Sequence, residues 1–331
     1  MNLGRRTLLT GATLLTLLAS AASAETVLRY GHPNPPESVA GKYATRLAEV
    51  VAEKTGGSVR IDVYPSSQLG TAKERFEQVQ LGLIDMGHDP FSTVAQAIPE
   101  FGAFDLPYLY RDVDHAVMAT TPSQSPAMAV LNTRLIEESQ IEILGSFLYG
   151  IRELTTSSYP VNSPEDLSGK RIRAIPAPVW VAMVEGMNAI PTPIDFAELT
   201  TALTTQVVDG QENPLTTILG LNMYESQKYL IMTDHMINII PLFINTSSMA
   251  RLTEEEQTAL REAADEVGTE ILALSIAEHE ALTKELAERG MTVIDKNSGL
   301  DLEAFRTRVS DHVAAAFPEW AQFITDIKAL N

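Results

Sequence analysis

Hydrophobic and polar positions follow two different periods over the part of the chain that starts near residue 26. Residues 26–30 form a short strand signal closed by glycine and prolines, and residues 59–64 alternate in hydrophobicity as a strand does. Between them, residues 40–54 carry apolar side chains three and four positions apart, which predicts an amphipathic helix ending at residues 55–57. A β-α-β opening favours a parallel sheet and an α/β fold.

Strand and helix signals continue to alternate through the middle of the chain. The nearly continuous apolar run at 141–148 predicts a strand that is buried on both faces. The other predicted elements are strands at 84–87 and 170–175 and helices at 72–83, 179–187 and 196–204.

One predicted helix is unusually long. Residues 254–289 contain no proline, Thr253 and Glu256 form a capping box before the pattern, and Gly290 ends it. A continuous helix of this length spans about 54 Å, which exceeds one domain of this size. The sequence favours a single helix behind two domains, and the alternative is two shorter helices that break near Gly268.

The first 24 residues have the pattern of an export signal. Arg5 and Arg6 precede an apolar run that continues to Leu18, and residues 22–24 form an Ala-Ser-Ala cleavage site. We expect cleavage after Ala24 and a periplasmic protein. The twin-arginine and general secretory routes both remain open, and the alternative is a buried N-terminal helix.

The composition excludes several classes of protein. The chain has 331 residues, a net charge of −19 and no cysteine. Without cysteine there is no disulfide, thiol nucleophile or thiolate metal site. The acidity, without a long basic block, argues against nucleic acid as a partner. The length makes two domains the default.

Recognisable catalytic motifs are missing from the sequence. No two of the six histidines are four residues apart, and neither a nucleophile elbow nor a glycine-rich phosphate loop occurs. The acids at 112 and 114, beside His115, could hint at a metal, but acids at a helix start explain them better. We therefore expect no cofactor and no enzyme, although acidic residues brought together by folding stay an alternative.

Six short motifs carry a resemblance to a known family. They are YPSSQLG at 64–70, FDLPY at 104–108, GIR at 150–152, GKRIR at 169–173, PTP at 191–193 and VDGQENP at 208–214. In order and spacing the chain resembles, from about Val27 to its C-terminus, the solute-binding proteins of tripartite ATP-independent periplasmic (TRAP) transporters, of the dicarboxylate/sialic-acid type. The resemblance implies two α/β lobes, each a mixed sheet flanked by helices, with crossing strands and a long helix behind both. We expect residues 25–149 with 238–277 in lobe one, and 150–237 with 278–331 in lobe two.

The resemblance also implies that an arginine at the end of a strand pairs with the ligand carboxylate. That position is Arg173, whose planar fork suits a carboxylate. We expect Arg171 to alternate to the other face of the strand and to point to solvent. The alternative for Arg173 is a surface ion pair.

Further positions match family binding residues. Arg152 follows Tyr149 and Gly150 where a crossing strand enters lobe two, and its alternative is structural pairing between strands. Asn213 matches a ligand-binding asparagine, or is a turn residue before proline. Phe196 matches an aromatic that packs on the ligand, or is plain core.

The remaining candidates are weaker. They are His88, Phe91 and Ser92 in the loop that resembles the lobe-one ligand loop, with Tyr149, Asp195, Trp180 and Asn238 elsewhere. Asp195 is expected to face water or to bind a ligand hydroxyl or amine. Trp180 belongs to the pocket or the core, and Asn238 is a hinge or ligand contact. The acids that sialic-acid binders carry align with Pro90 and near Ala72, which disfavours sialic acid.

The function implied by the resemblance is capture of a small organic acid and its delivery to a membrane permease. The ligand could be a C4-dicarboxylate, a sugar acid or a 2-keto acid, and we expect a monomer. An exported enzyme acting on a carbohydrate or organic acid, and a sensor that serves a membrane receptor, are the competing functions.

Overall fold

The structure is a computed structural model that describes residues 25–330. The predicted signal peptide and its cleavage after Ala24 lie outside the described residues. Among the helices of the described part, none is long and apolar enough to cross a membrane.

Nine strands within residues 25–330 form one mixed sheet. They are β1 (Thr26–Gly31), β2 (Val59–Tyr64), β3 (Met86–His88), β4 (Ile141–Thr156), β5 (Arg171–Ala174), β6 (Ile190–Pro193), β7 (Gly210–Pro214), β8 (Tyr229–Asn245) and β9 (Thr292–Ile294). The strand order is β2-β1-β3-β8-β4-β7-β5-β6, and β9 pairs with β8. Strand β1 is parallel to both of its neighbours, as β5 is, whereas β4 and β8 run antiparallel to each other.

Helices flank the sheet. The α-helices are α1 (Val39–Lys54), α2 (Ala72–Gln80), α3 (Phe91–Val94), α4 (Val113–Thr120), α5 (Pro126–Ser139), α6 (Pro178–Gly186), α7 (Leu199–Thr204), α8 (Leu215–Gly220), α9 (Thr246–Met249), α10 (Glu254–Glu288), α11 (Leu302–Ala316) and α12 (Ala321–Lys328). Short 3-10 helices cover Pro99–Asp105, Pro164–Leu167, Phe196–Glu198, Met223–Glu225 and Pro318–Trp320.

The predicted β-α-β opening is confirmed. Strands β1 and β2 are parallel, with Leu28 opposite Ile61. The side chain of Ser38 accepts a hydrogen bond from the Gly41 amide and so caps α1, whose apolar stripe is buried. Because β1 and β2 are parallel, their carboxyl ends lie at the same edge of the sheet.

Strands β4 and β8 are the longest strands and connect the two ends of the sheet. The first half of β4 pairs with the part of β8 that lies beside β3, and its second half pairs with β7. The register shifts next to Gly150, which lies opposite Asn238. Gly150 has φ of +142°, and a Cβ there would lie 2.7 Å from a Pro214 carbon, so only glycine fits.

Helix α10 is continuous over Glu254–Glu288, so the prediction of a single long helix is confirmed. The predicted capping box between Thr253 and Glu256 is present, and Gly268 lies inside the helix without breaking it. The helix packs on α1 and β4 and also on α8 and β9, and so it contacts both ends of the sheet.

Some predicted boundaries are wrong. Helix α2 ends at Gln80 and not at residue 83, because Gly82 adopts a left-handed conformation. The predicted helix at 196–204 divides into a 3-10 turn followed by α7. Strand β4 continues eight residues beyond the predicted end at 148, and β8 and α11 were not predicted from the sequence.

Candidate ligand-binding cleft

A cleft lies where the carboxyl ends of several strands meet. Asn34 follows β1, Asp89 follows β3, Arg173 is near the end of β5 and Asp195 follows β6, and all four line the cleft. Ligands of open α/β sheets bind in this kind of position. The crossing strands β4 and β8 form the floor and add Tyr149, Arg152 and Asn238.

Eight of the predicted site residues line this cleft. They are His88, Tyr149, Arg152, Arg173, Asp195, Phe196, Asn213 and Asn238. The other three, Phe91, Ser92 and Trp180, are not brought to it.

Arg173 is a buried cation with unused hydrogen-bonding capacity. Its side chain is 1% exposed, and Nε donates to the Ile194 carbonyl at 2.8 Å. Nη1 is buried and has no partner among the described residues. Burial lowers the pKa of Arg173 to about 10, and the like charge of Arg152 adds to that effect. The group stays charged at neutral pH, and no carboxylate of residues 25–330 pairs with it directly.

Arg171 is exposed, as predicted, but the reason given for it is wrong. Side chains two residues apart on a strand share a face, so alternation cannot separate Arg171 from Arg173. Arg171 starts β5, at the end away from the cleft, and pairs with Asp209 at 3.1 Å near solvent. Position along the strand, not its face, separates the two arginines.

Arg152 is equally buried but fully engaged. Its guanidinium forms a bidentate pair with Glu212, in which Nη2 lies 3.0 Å from Oε1 and Nε contacts Oε2. Nη2 also donates to the Glu212 carbonyl at 2.7 Å, and Nη1 donates to Asn238 Oδ1 at 2.9 Å. The Trp180 ring covers the group, with its centroid 4.7 Å from Cζ. Structural pairing, which was the alternative interpretation of Arg152, is therefore present, although the residue also lines the cleft.

His235 completes this network. Its Nε2 lies 3.0 Å from Glu212 Oε2, and its Nδ1 lies 2.8 Å from the Thr233 hydroxyl. Burial alone would raise the pKa of Glu212, but the Arg152 charge and the hydrogen bonds from His235 and Arg152 outweigh it and lower the pKa to about 2. Glu212 is therefore an anion that neutralises Arg152.

Two amide side chains lie beside the arginines. Asn238 uses its oxygen to accept from Arg152, and its buried Nδ2 has no partner within residues 25–330. Asn213 donates from Nδ2 to Gln211 Oε1 at 2.5 Å. Asn238 thus offers a donor at the cleft, beside Arg152.

The opposite wall of the cleft carries a second buried ion pair. Arg75, from α2, donates to both oxygens of Asp89 at 3.1 and 2.5 Å, and its Nη1 donates to the Gly70 carbonyl at 2.5 Å. Burial raises the pKa of Asp89, and the Arg75 charge offsets only part of that rise. The nearby Asp195 charge, from the other side of the cleft, raises it further.

A chain of hydrogen bonds links this wall to the floor. His88 Nδ1 contacts the Tyr30 hydroxyl at 2.5 Å, and Nε2 contacts Asn34 Oδ1 at 3.0 Å. Asn34 in turn donates to the Tyr149 hydroxyl at 2.9 Å, which contacts Thr217 at 2.7 Å. Burial lowers the pKa of His88 well below its usual value, so the ring is neutral. These side chains hold each other in place.

Phe91, Ser92 and Trp180 lie beside the cleft in tightly packed surroundings. Phe91 is fully buried in the core, where it stacks on Phe101 and packs at a tilt against Phe104, as expected of an apolar side chain with no polar group to present. Trp180 Nε1 donates to Ser92 Oγ at 2.8 Å and approaches Asp105 Oδ2 at 3.3 Å. The structure therefore places Trp180 in the core behind Arg152, which was one of its two predicted positions.

Several residues of the cleft and of the Arg152 network were missed from the sequence. Asn34, Arg75 and Asp89 line the cleft, whereas Glu212 and His235 belong to the network. Asp89 and Glu212 are next to residues that were selected, and that adjacency was the available signal. Arg75 reads as one more polar position on a surface helix, and only the fold brings it to Asp89.

Comparison with known proteins decides the family. The chain matches DctP, the bacterial extracellular solute-binding proteins of family 7, over residues 30–319. The chain belongs to this family. The resemblance to TRAP solute-binding proteins and the expected α/β two-lobe fold class are thereby confirmed.

Family members of known ligand are similar over most of their length. The chain is 34% identical over 256 residues to the sialic acid-binding periplasmic protein SiaP of Vibrio cholerae, which covers 77% of this chain and 78% of SiaP. It is 28% identical over 303 residues to the 2,3-diketo-L-gulonate-binding periplasmic protein YiaO of Escherichia coli, and the alignment covers 92% of this chain and 90% of YiaO. A TRAP periplasmic solute-binding protein from Roseobacter denitrificans, crystallised with bound L-galactonate, aligns with a TM-score of 0.84 at 28% identity, covering 93% of this chain and all of that one.

Proposed function

We propose that this family member binds a polyhydroxylated monocarboxylic acid, a sugar acid, in the cleft and delivers it to a TRAP permease. The observation that carries the proposal is Arg173, a buried guanidinium at the cleft whose Nη1 has no hydrogen-bond partner in the described part of the chain. A ligand carboxylate would supply the missing acceptor and the missing negative charge. Arg–carboxylate pairs of this kind are among the stronger polar contacts in proteins.

The charges around the cleft favour one carboxylate over two. Asp89 and Asp195 line it from opposite sides, and the positive charge of Arg75 is engaged by Asp89. A second carboxylate on the ligand would face these acids, whereas hydroxyl groups could donate to them. The Asn238 amide and the hydroxyls of Ser67, Thr71 and Thr93 add further partners for hydroxyls. This pattern supports sugar acids over C4-dicarboxylates.

Three ligands of relatives share this chemistry. Sialic acid, 2,3-diketo-L-gulonate and L-galactonate each combine one carboxylate with several hydroxyls, and the proteins that bind them are similar to this chain. The residues that we propose to contact the ligand are Arg173, Asn213, Asn238, Asp89, Asp195 and Phe196. Arg152 would act mainly by fixing Asn238 and the floor of the cleft.

Closure of two lobes is the proposed binding motion. The supporting observation is the pairing of Gly150 with Asn238, the two residues at which the chain was expected to cross between 25–149 with 238–277 and 150–237 with 278–331. Trp180 and Ser92, which lie in different proposed lobes, are joined by a hydrogen bond. We further propose that the protein is a periplasmic monomer, exported by the signal in residues 1–24, and that it has no catalytic activity.

A thermal-shift screen of the purified mature chain tests the proposal. Aldonates and uronates are compared with succinate as the diacid and with the matching alditols, which lack the carboxylate. A bound ligand stabilises the folded chain by RT ln(1 + [L]/Kd), so we expect sugar acids to raise the melting temperature and alditols to leave it unchanged. A shift with succinate alone would overturn the sugar-acid assignment, and turnover of a bound acid would favour the exported enzyme.

A further inference from the structure

A second group of ligating side chains lies outside the cleft. Glu153 of β4, Asp234 of β8 and His279 of α10 each place one oxygen or nitrogen atom within 4.8 Å of the others. The three positions are far apart in sequence, and none of them lines the cleft.

The local backbone is shaped around Glu153. The register between β4 and β8 shifts here. Arg152 is opposite Met236, whereas Leu154, two residues further along β4, is opposite Ile231, five residues away along β8. Asp234, inside the extra segment of β8, has φ of +46°, a left-handed conformation that is uncommon outside glycine. Its amide donates to Glu153 Oε2 at 2.9 Å.

Glu153 is buried without a full set of partners. Its side chain is 0% exposed, and Oε1 has no hydrogen-bond partner among the described residues. Within residues 25–330, no lysine or arginine nitrogen lies within 4 Å of a carboxylate oxygen of Glu153 or Asp234. Two carboxylates this close are costly when both are ionised in a buried site, so either a bound proton or a bound cation must offset the charge.

The chemistry of the three ligands indicates which cation would fit. We infer that Glu153, Asp234 and His279 form a binding site for a borderline divalent transition metal of the Zn²⁺ class. One imidazole with two carboxylates suits Zn²⁺ better than Ca²⁺ or Mg²⁺, which prefer all-oxygen sites. Around a tetrahedral ion with bonds of about 2.0–2.1 Å, neighbouring ligand atoms lie about 3.4 Å apart. The three ligand atoms here lie within 4.8 Å of one another, and the exposed Asp234 and the half-buried His279 can move the remaining distance.

The effect of such an ion would be on the fold and not on the cleft. It would link the second half of α10 to β4 and β8 through bonds to the metal. The pairing of the two strands does not by itself provide that link. It would also supply the positive charge that the two acids lack. We expect the metal to raise thermal stability in the absence of any organic ligand, so the inference does not depend on the proposed function.

Metal titration of the full mature chain, stripped with a chelator, tests the site. With ZnCl₂ we expect one ion bound per chain by calorimetry and elemental analysis, and a higher melting temperature. Glu153→Gln and His279→Gln should each lose the shift and weaken binding by at least roughly tenfold. Glu153→Gln keeps the size of the side chain and removes the buried charge, so it should fold.

The matched control is His312→Gln, which removes the exposed histidine that contacts Glu185 at 3.3 Å and should leave binding unchanged. Binding that survives both Glu153→Gln and His279→Gln, or that is lost in His312→Gln, would overturn the site. A preference for Ca²⁺ or Mg²⁺ over Zn²⁺ would overturn the proposed class of metal.

Discussion

Two buried arginines in one cleft have opposite surroundings. Arg152 is paired with Glu212, held by Asn238 and covered by Trp180, whereas Arg173 donates only to a backbone carbonyl among the described residues. Both side chains are about 1% exposed, so burial does not distinguish them. The difference lies in the counter-charge, which Glu212 supplies to Arg152 through a direct pair and which, under the proposed function, a ligand would supply to Arg173.

The two arrangements have different thermodynamic consequences. A buried ion pair becomes strongly destabilising only when one partner is removed. A buried cation without a partner already costs free energy, and the lowered pKa of Arg173, about 10, corresponds to a cost of about 3 kcal/mol. Mutations in the Arg152 network should therefore act on stability, and mutations at Arg173 on binding.

The largest expected effect is loss of stability in Glu212→Ala. The change leaves Arg152 without its carboxylate in a dry site and should lower the free energy of unfolding by about 3–5 kcal/mol. Urea unfolding of the ligand-free chain measures it. Asp209→Ala, which breaks the exposed pair with Arg171, is the control and should cost only about 0–1 kcal/mol. Equal losses in the two variants would contradict the distinction between the regions.

The next effect is a dependence of stability on pH at Asp105, which contacts Trp180 behind Arg152. Burial raises the pKa of Asp105 to about 6, although hydrogen bonds from Ser92 and Trp180 oppose the rise. When folding raises the pKa of a carboxyl, the free energy of unfolding of the protein falls as the pH rises from about 4 through 6. Asp105→Asn should remove this loss, so that its stability relative to wild type improves by up to about 3 kcal/mol between pH 4 and pH 8.

Asp209→Asn provides the control of opposite sign for this measurement. Burial alone would raise the pKa of Asp209, but the hydrogen bonds and the charge of Arg171 together outweigh it and lower the pKa. Its contribution is present above the usual carboxyl pKa and is lost on acidification, so this variant should lose relative stability as pH rises. If the stability of both variants relative to wild type changed with pH in the same direction, the pKa of Asp105 would not be raised as described.

A smaller effect is expected at Trp180, which connects the two proposed lobes. Trp180→Phe keeps an aromatic ring over Arg152 but removes the donor to Ser92, which is worth about 1 kcal/mol. If that bond belongs to the closed form, affinity for the ligand should fall about fivefold. Tyr224→Phe, which removes a hydroxyl that donates to Asn222 at 2.7 Å within one proposed lobe, is the control and should leave affinity unchanged. An unchanged Kd in Trp180→Phe would remove this contact from the closure mechanism.

Local patterns predicted the parts of the fold that depend on local sequence. The β1-α1-β2 unit and the long α10 were predicted because a hydrophobic period, caps and glycines are close together in the chain. Strand β8 was missed, and β4 was predicted too short. Both are crossing strands, and their ends are set by partners that lie far away in sequence.

At the candidate site, too, local motifs were predicted from the sequence and long-range pairings were not. Arg173 was selected by a motif, and the structure gives it the expected buried position at the cleft. The partner of Arg152, Glu212, is 60 residues away, and Arg75 meets Asp89 only after α2 packs beside β3. Which arginine is already neutralised depends on such pairings, and no pattern of single residues in the sequence reveals them.

The most direct test of the account is calorimetry of Arg173→Ala, Arg173→Lys and Arg171→Ala with the acid identified by the screen, together with the stability of each ligand-free variant. Losing one partner of a buried charge pair costs roughly 2–5 kcal/mol, so Arg173→Ala should bind about 30-fold to several-thousand-fold more weakly. Arg173→Lys should recover part of the affinity, since an ammonium lacks the planar fork. Arg171→Ala should bind as wild type does, and ligand-free Arg173→Ala should be at least as stable as wild type. Equal losses of affinity at 171 and 173, or a loss of stability in Arg173→Ala as large as that in Glu212→Ala, would contradict the account.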